Sequence, residues 1–536
     1  MFDLLIKNAR IYDGSAVPAY YGSVAVKGGK IVQIGSDLGQ AAKTVDAEGL
    51  DLSPGFVDSH SHGDLAIFTD PNRDHVLQMG VTTEITGNCG HARFPIMESV
   101  TEDQLKLMLG SAGQGNERFE RLSYMREALK DLPIGPNQAH LAGHNLLRCS
   151  AMSFASRSAS EAELNDMRRM AREAMEDGAE GFSTGLCYIP GVYGDSHELI
   201  ELAKVTSIEG GIYCTHSRWE SAGLFRSLQE CIDIAREAKI PVNVSHLKCT
   251  GKDFWHRCEP MLAMVDEANR EGMTVTMDAY PYTACSTNAT TSVIPARFFE
   301  LGMPAFLKML DDPNIVEEIR CEIFEIDDPS WDNGALHVGL ENFLITGADV
   351  TPEVVGKTYV QVAQERGITP YQAMIDVIRA NNGAVREVRY SMCEENVEMI
   401  LRHPLCVVGS DGVYVKGRDT MTHPRAIGTF PRYLGRYIRN RGILSREEGI
   451  HRITGMPSQR FGLVGKGFIR PGYDADLVLF DFDVISDRGD FMEPFRLNEG
   501  IHQVYMNGEL IMQDNQMTGL HIGKSLRRGR KPGGEA

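Results

Sequence analysis

The sequence predicts an α/β chain folded as a closed (β/α)8 (TIM) barrel. A small β-sandwich built from both chain ends and an insertion before the last barrel strand complete the expected architecture. Two observations carry this reading. One theme recurs along the middle of the chain: an amphipathic helix, a glycine or proline stop, then a short apolar strand. Metal-ligand residue types also cluster at the C-terminal ends of the expected strands, which is where barrels of this kind place their chemistry.

The stretch from Ser160 to Met175 is a good specimen of the theme. Ser160 and Glu163 fit a capping box, Leu164, Met167, Ala171 and Met175 recur at helical spacing, and Gly178 closes the end before GFSTGL (Gly181 to Leu186). The theme returns at His197–Ile208 before IYCTH, at Phe225–Lys239 before VNVSH and at Pro260–Glu271 before TVTMDAY. FVDSH (Phe56–His60), TTEIT (Thr82–Thr86), NQAHLAGH (Asn137–His144) and CVVGSD (Cys406–Asp411) bring the expected strands to eight. Alternating helix and strand implies a parallel sheet, and eight units suggest closure, with an open doubly wound sheet as the runner-up. Residues 1–54 and about 464–520 break the alternation. Their short alternating runs (LLIKNARIY, SVAVKGGKIVQIG, ADLVLFD, QVYMNGELI) read as hairpins that pair into the β-sandwich. The barrel is expected over 55–463. The gap between TVTMDAY and CVVGSD is too long for one crossover, so 288–355 is expected to be an insertion covering the barrel mouth, with helices returning at Pro370–Asn381 and Glu394–His403.

Composition excludes several function classes. A formal charge of −19, from 54 basic and 73 acidic residues, argues against nucleic acid or an anionic membrane as partner. No run of eighteen apolar residues exists, and the opening MFDLLIKNARIYDG does not read as a secretion signal. Eleven scattered cysteines suit a reducing cytoplasm better than a disulfide scaffold. The basic, glycine-rich end from Lys524 to Ala536 is expected to be a frayed tail.

Six residues carry the candidate chemistry. His60 and His62 end the first strand as H-x-H, and a strand places alternate side chains on one face, so both rings can address one ion. Cys89 follows the second strand in TGNCGH, His216 ends the fifth, His246 ends the sixth and Asp411 ends the eighth. Sulfur, nitrogen and carboxylate donors together suit zinc better than magnesium or calcium. The other ten cysteines are read as packing residues.

PGFVDSHSHGD, YCTHSRWE, VSHLK, VVGSDG and GFIRPGYDADLVLFD resemble the amidohydrolase superfamily. TGNCG, GAEGFSTGLCYIPG, DAYPYTA and HPRAIGTFPRYLG narrow the resemblance to the N-acyl-D-amino-acid deacylase (D-aminoacylase) family. The resemblance implies one tightly held zinc on Cys89, His216 and His246, the cysteine standing in for the carboxylated lysine of many amidohydrolases. It implies a weaker neighbouring site on His60, His62 and Asp411, and it leaves open whether one ion or two are bound. It further implies a small-molecule substrate, an N-acyl-D-amino acid, whose carboxylates meet Lys248, Tyr280, Ser286 and Arg425. Arg297 is a candidate reader of an acidic side chain, as in the branch that prefers N-acyl-D-glutamate.

The chemistry expected follows from need. A bound Zn²⁺ can bring the pKa of a water from about 15.7 to about 7 and polarise a carbonyl. Asp411 would take the proton of that water and return it to the leaving amine. Two alternatives stand beside this reading: a cyclic amidase of the hydantoinase or dihydroorotase kind, and a non-catalytic scaffold on the same fold.

Overall fold

The computed structural model describes residues 1–109, 117–326, 331–413 and 421–529. Eight parallel strands form one sheet in which each strand pairs with its sequence neighbour: Phe56–Asp58, Val81–Thr86, Asn137–Gly143, Gly181–Gly185, Ile212–His216, Val242–Val244, Val275–Ala279 and Cys406–Val408. These are the first to eighth barrel strands. The ring closes just beyond its first and last strands. Ser61 bridges Gly412 in parallel, the Asp411 amide donates to the His60 carbonyl at 2.8 Å, and the His62 amide donates to the Gly412 carbonyl at 3.0 Å. Closure therefore runs through the segments that carry His60, His62 and Asp411.

Helices return between strands on the outside, as the recurring theme requires. Glu161–Glu176 has its complete capping box: the Glu163 amide donates to the Ser160 hydroxyl, and the Ser160 amide donates back to the Glu163 carboxylate at 2.8 Å. Leu164, Met167, Ala171 and Met175 face inward from it. Ser196–Ile208, Leu224–Ala238 and Cys258–Arg270 follow the same plan and pack in sequence order.

Both chain ends join one nine-stranded sheet. Asp51–Pro54 from the N-terminal part pairs antiparallel with Leu477–Phe480 from the C-terminal part. Leu4, Ile6, Val24, Val26, Leu477 and Leu479 share an apolar core there, separate from that of the barrel.

Two segments differ from expectation. The insertion is a body of its own extending over 285–389, longer than the expected 288–355. Cys285–Asn288, Arg386–Arg389 and Phe343–Gly347 make its three-stranded antiparallel sheet, and Pro370–Ala380 packs Met374, Val377 and Ile378 into its core rather than onto the barrel. Helical periodicity identifies such an element but does not say which of two cores its apolar face meets. Lys524 onward is not frayed as far as Gly529. The Gln138 amide donates to the Lys524 carbonyl at 2.9 Å, the Leu526 amide donates to the Gln138 carbonyl at 2.7 Å, and Leu526 packs on the cluster of Val57, Ile85, Leu141 and Ile212 inside the barrel. A polar-looking sequence can still add a strand-like strap where a strand end offers unpaired backbone groups. The rest of the expected tail, 530–536, lies outside the described residues.

Candidate metal centre and the amidohydrolase family

The structure brings the six ligand-type side chains to one point at the C-terminal mouth of the barrel. Ligand atoms of Cys89, His216 and His246 lie within 4.8 Å of one another, as do those of His60, His62 and Cys89 and those of His60, His246 and Asp411. Cys89 Sγ is 3.3 Å from His60 Nε2 and 3.5 Å from His246 Nε2. Asp411 Oδ1 is 3.2 Å from His62 Nε2 and 3.6 Å from His60 Nε2. A cluster of sulfur, imidazole and carboxylate donors this close, and this buried, fits a zinc ion with a neighbouring second position.

The local backbone is built for this approach. Cys89, His246 and Asp411 all adopt left-handed φ, at 55°, 35° and 49°. Such non-glycine residues cost about 1–3 kcal/mol each and persist where their surroundings over-determine them. Around Cys89 the constraint is visible. Gly87 and Gly90 flank it at φ 78° and 73°, and a Cβ on Gly87 would fall 2.2 Å from the Leu141 carbonyl oxygen. The Ser183 hydroxyl donates to the Gly87 carbonyl and accepts from the Gly90 amide, pinning the turn from both sides. The TGNCG motif is thus a tight turn against the third and fourth strands, with its thiol as the outward product.

Two carboxylates that sequence reasoning missed orient the imidazoles. Asp278 Oδ1 sits 3.2 Å from His60 Nδ1 and accepts the His246 amide at 2.8 Å, while Asn243 donates to its other oxygen at 2.6 Å. Burial opposes its ionisation, yet the His60 ring holds its carboxyl below the usual range. Glu220 Oε1 lies 3.3 Å from His246 Nδ1 and accepts from Lys248 Nζ at 2.5 Å. An outer hydrogen bond of this kind fixes which ring nitrogen faces an ion. Asp278 had a signal, an acid inside the buried strand TVTMDAY, where a charge needs a partner. Glu220, in a loop four residues beyond His216, had none beyond proximity.

Electrostatics divide the donors. Burial pushes the Cys89 thiol well above its ordinary pKa, with nearby Asp411 adding to the effect. Burial lowers His62, His216 and His246, so these rings are neutral. Burial opposes ionisation of Asp411 too, but the Arg425 guanidinium 2.8 Å away and the His62 hydrogen bond hold its carboxyl well below the usual range.

A cavity of about 720 Å³ opens from this centre between the barrel mouth and the insertion. Lys248, Tyr280, Ser286 and Arg425 all line it. The Arg425 guanidinium stacks 4.6 Å over the Tyr280 ring, Arg425 Nη2 donates to the Ser286 carbonyl at 3.3 Å, and the buried Tyr280 hydroxyl has no partner among the described residues. Arg297 does not join them. It stands half exposed on the insertion, paired with Glu318 and Glu322, because that local acidic helix face neutralises it. Cys187 and Cys285, read as packing residues, line the cavity instead.

The Amidohydrolase family profile matches residues 43–512. The chain is an amidohydrolase. It is 35% identical to the D-aminoacylase of Alcaligenes xylosoxydans xylosoxydans over 98% of both chains. It is 32% identical to the N-acyl-D-aspartate deacylase of the same organism, over 96% of this chain and 93% of the relative. Its fold superposes with a TM-score of 0.82, at 30% identity and over 98% and 99% of the two chains, on N-acyl-D-glutamate deacylase from Bordetella bronchiseptica, solved with zinc and a phosphonate mimic of the tetrahedral intermediate. Among amidohydrolases this one thus falls with the N-acyl-D-amino-acid deacylases.

Proposed function

We propose that this chain hydrolyses the amide bond of N-acyl-D-amino acids, releasing a carboxylic acid and a D-amino acid, with zinc as its metal. The observation that carries the reading is the Cys89–His216–His246 donor set beside a cavity of which one wall, beyond strands six to eight, holds Lys248, Tyr280 and Arg425. A small anionic substrate suits that wall, and eleven unpaired cysteines suit a cytoplasmic home.

Cys89, His216 and His246 would hold the tight ion, and His60, His62 and Asp411 a weaker neighbour. Zinc there supplies Lewis acidity, acidifying a water and polarising the acyl carbonyl. The chain's own residues do the rest. Arg425 presents a planar fork to the substrate α-carboxylate, and Tyr280 adds a hydroxyl with no partner among the described residues. Arg425 is also paired with Asp411 at 2.8 Å, which places the guanidinium beside the base as well as the cavity. Asp411 accepts a proton from the attacking water at Oδ1 or Oδ2 and returns it to the amine nitrogen.

The test is reversible metal dependence on a defined substrate. Chelation should abolish release of D-leucine from N-acetyl-D-leucine, and added zinc should restore it. Metal-free protein with full activity would contradict the proposal, and metal-dependent opening of a hydantoin ring in place of the linear amide would favour the cyclic amidase.

A further inference from the structure

We propose that one arm of the cavity is a binding site for a long aliphatic acyl group, making this chain a hydrolase of N-fatty-acyl-D-amino acids; the proposal rests on the amide-hydrolase reading above. The cavity is far larger than an N-acetyl amino acid needs. Its volume of about 720 Å³ falls among pockets that take drug-sized ligands. The residues proposed above to hold the carboxylate also lie together on one side. Lys248 follows the sixth barrel strand, Tyr280 and Ser286 the seventh, and Arg425 the eighth.

The opposite side of the mouth carries a patch of apolar side chains, beside the exposed Asp103–Lys106 pair. Leu107 and Leu109 come from the helix Glu102–Leu109 after the second strand, and Ile189 and Val192 from the loop after the fourth. Met303 and Leu307, one helical turn apart on the insertion helix Met303–Met309, face the same space. All six belong to or pack against one apolar cluster, and the Tyr193 hydroxyl donates to the Ala296 carbonyl at 2.9 Å, tying the loop to the insertion.

Direction then assigns the occupant. A scissile carbonyl at the metal centre has the amine half on one side and the acyl half on the other. The amine half carries the carboxylate and is drawn to the cations beyond strands six to eight. The acyl half is left facing strands two to four, where the apolar arm begins. An aliphatic chain there would exchange water for Leu, Ile and Met contacts.

Turnover and binding of N-acetyl-, N-butanoyl-, N-hexanoyl- and N-octanoyl-D-leucine by the zinc-loaded protein test this. We expect kcat/KM and affinity to rise by about fourfold per methylene, the factor equivalent to about 0.8 kcal/mol, until the arm fills. Leu307→Glu should flatten the series, and Met303→Trp should shift its optimum to shorter chains. A flat or falling series, or one governed by the amino-acid side chain at constant acyl length, would overturn the assignment. If no member is hydrolysed, the amide-hydrolase reading falls while calorimetric affinities still decide the arm: rising with chain length they uphold it, flat they end it.

Discussion

Cys89, His246 and Asp411 hold left-handed backbone conformations at the same point in space, and each projects a donor into the cluster. Ligand types at the ends of strands were legible in the sequence because a strand's end is fixed by its apolar run, and the residue beyond it must emerge at the mouth. The outer carboxylates were not legible, since Asp278 and Glu220 reach their histidines through tertiary contacts rather than through spacing. Two predictions belong to this scale. Asp411→Asn keeps the side-chain volume but cannot accept a proton near neutral pH and leaves the buried Arg425 without its counterion, so the protein should fold with a lowered Tm and keep its zinc while turnover falls by about 10² to 10⁴. Zinc analysis and a melting curve beside the rate check this, and an unfolded or zinc-free variant would make Asp411 chiefly structural. Zinc uptake should also release about one proton. The sign follows from the donors of the tight site: burial keeps the Cys89 thiol protonated before binding, whereas His216 and His246 are already neutral. Affinity should therefore rise about tenfold per pH unit below the thiol's pKa. Calorimetry in buffers of different ionisation enthalpy counts the proton, and finding none would remove the thiolate from the site.

Helices and strands of the barrel were predicted to within a residue or two at most ends, because caps and periodicity are local. Ser160→Ala should remove one half of the capping box on Glu161–Glu176 and cost about 1 kcal/mol, read as a lowered Tm with the zinc centre intact. Elements whose place depends on a distant surface were harder. The helix Pro370–Ala380 was legible as a helix but not as part of the insertion, and the strap from Lys524 to Gly529 showed no apolar run to announce it. Its two backbone hydrogen bonds to Gln138 and the packing of Leu526 predict that deleting residues 524–536 destabilises the barrel by about 2–4 kcal/mol. Thermal melts of the shortened chain measure this, and an unchanged Tm would return the segment to the status of a tail.

On the scale of the whole molecule, the two chain ends make a sheet beside the barrel while the insertion roofs the opposite concern, the cavity above the metal centre. A chain of net charge −19 still gathers Lys248 and Arg425 in that cavity, each matched by one buried acid, Glu220 or Asp411. In the proposed reading these two cations are the local attraction for an anionic substrate within a repulsive global field. With the amide at the metal and the carboxylate at Lys248 and Arg425, as proposed, the two enantiomers of a substrate send their side chains in different directions, and the walls of the cavity can tell them apart. The most direct test is chiral analysis of the products from racemic N-acetyl-leucine incubated with the zinc-loaded protein. Consumption should stop at about half, with D-leucine released and N-acetyl-L-leucine left. Release of both enantiomers at similar rates, or of L-leucine alone, would contradict the account.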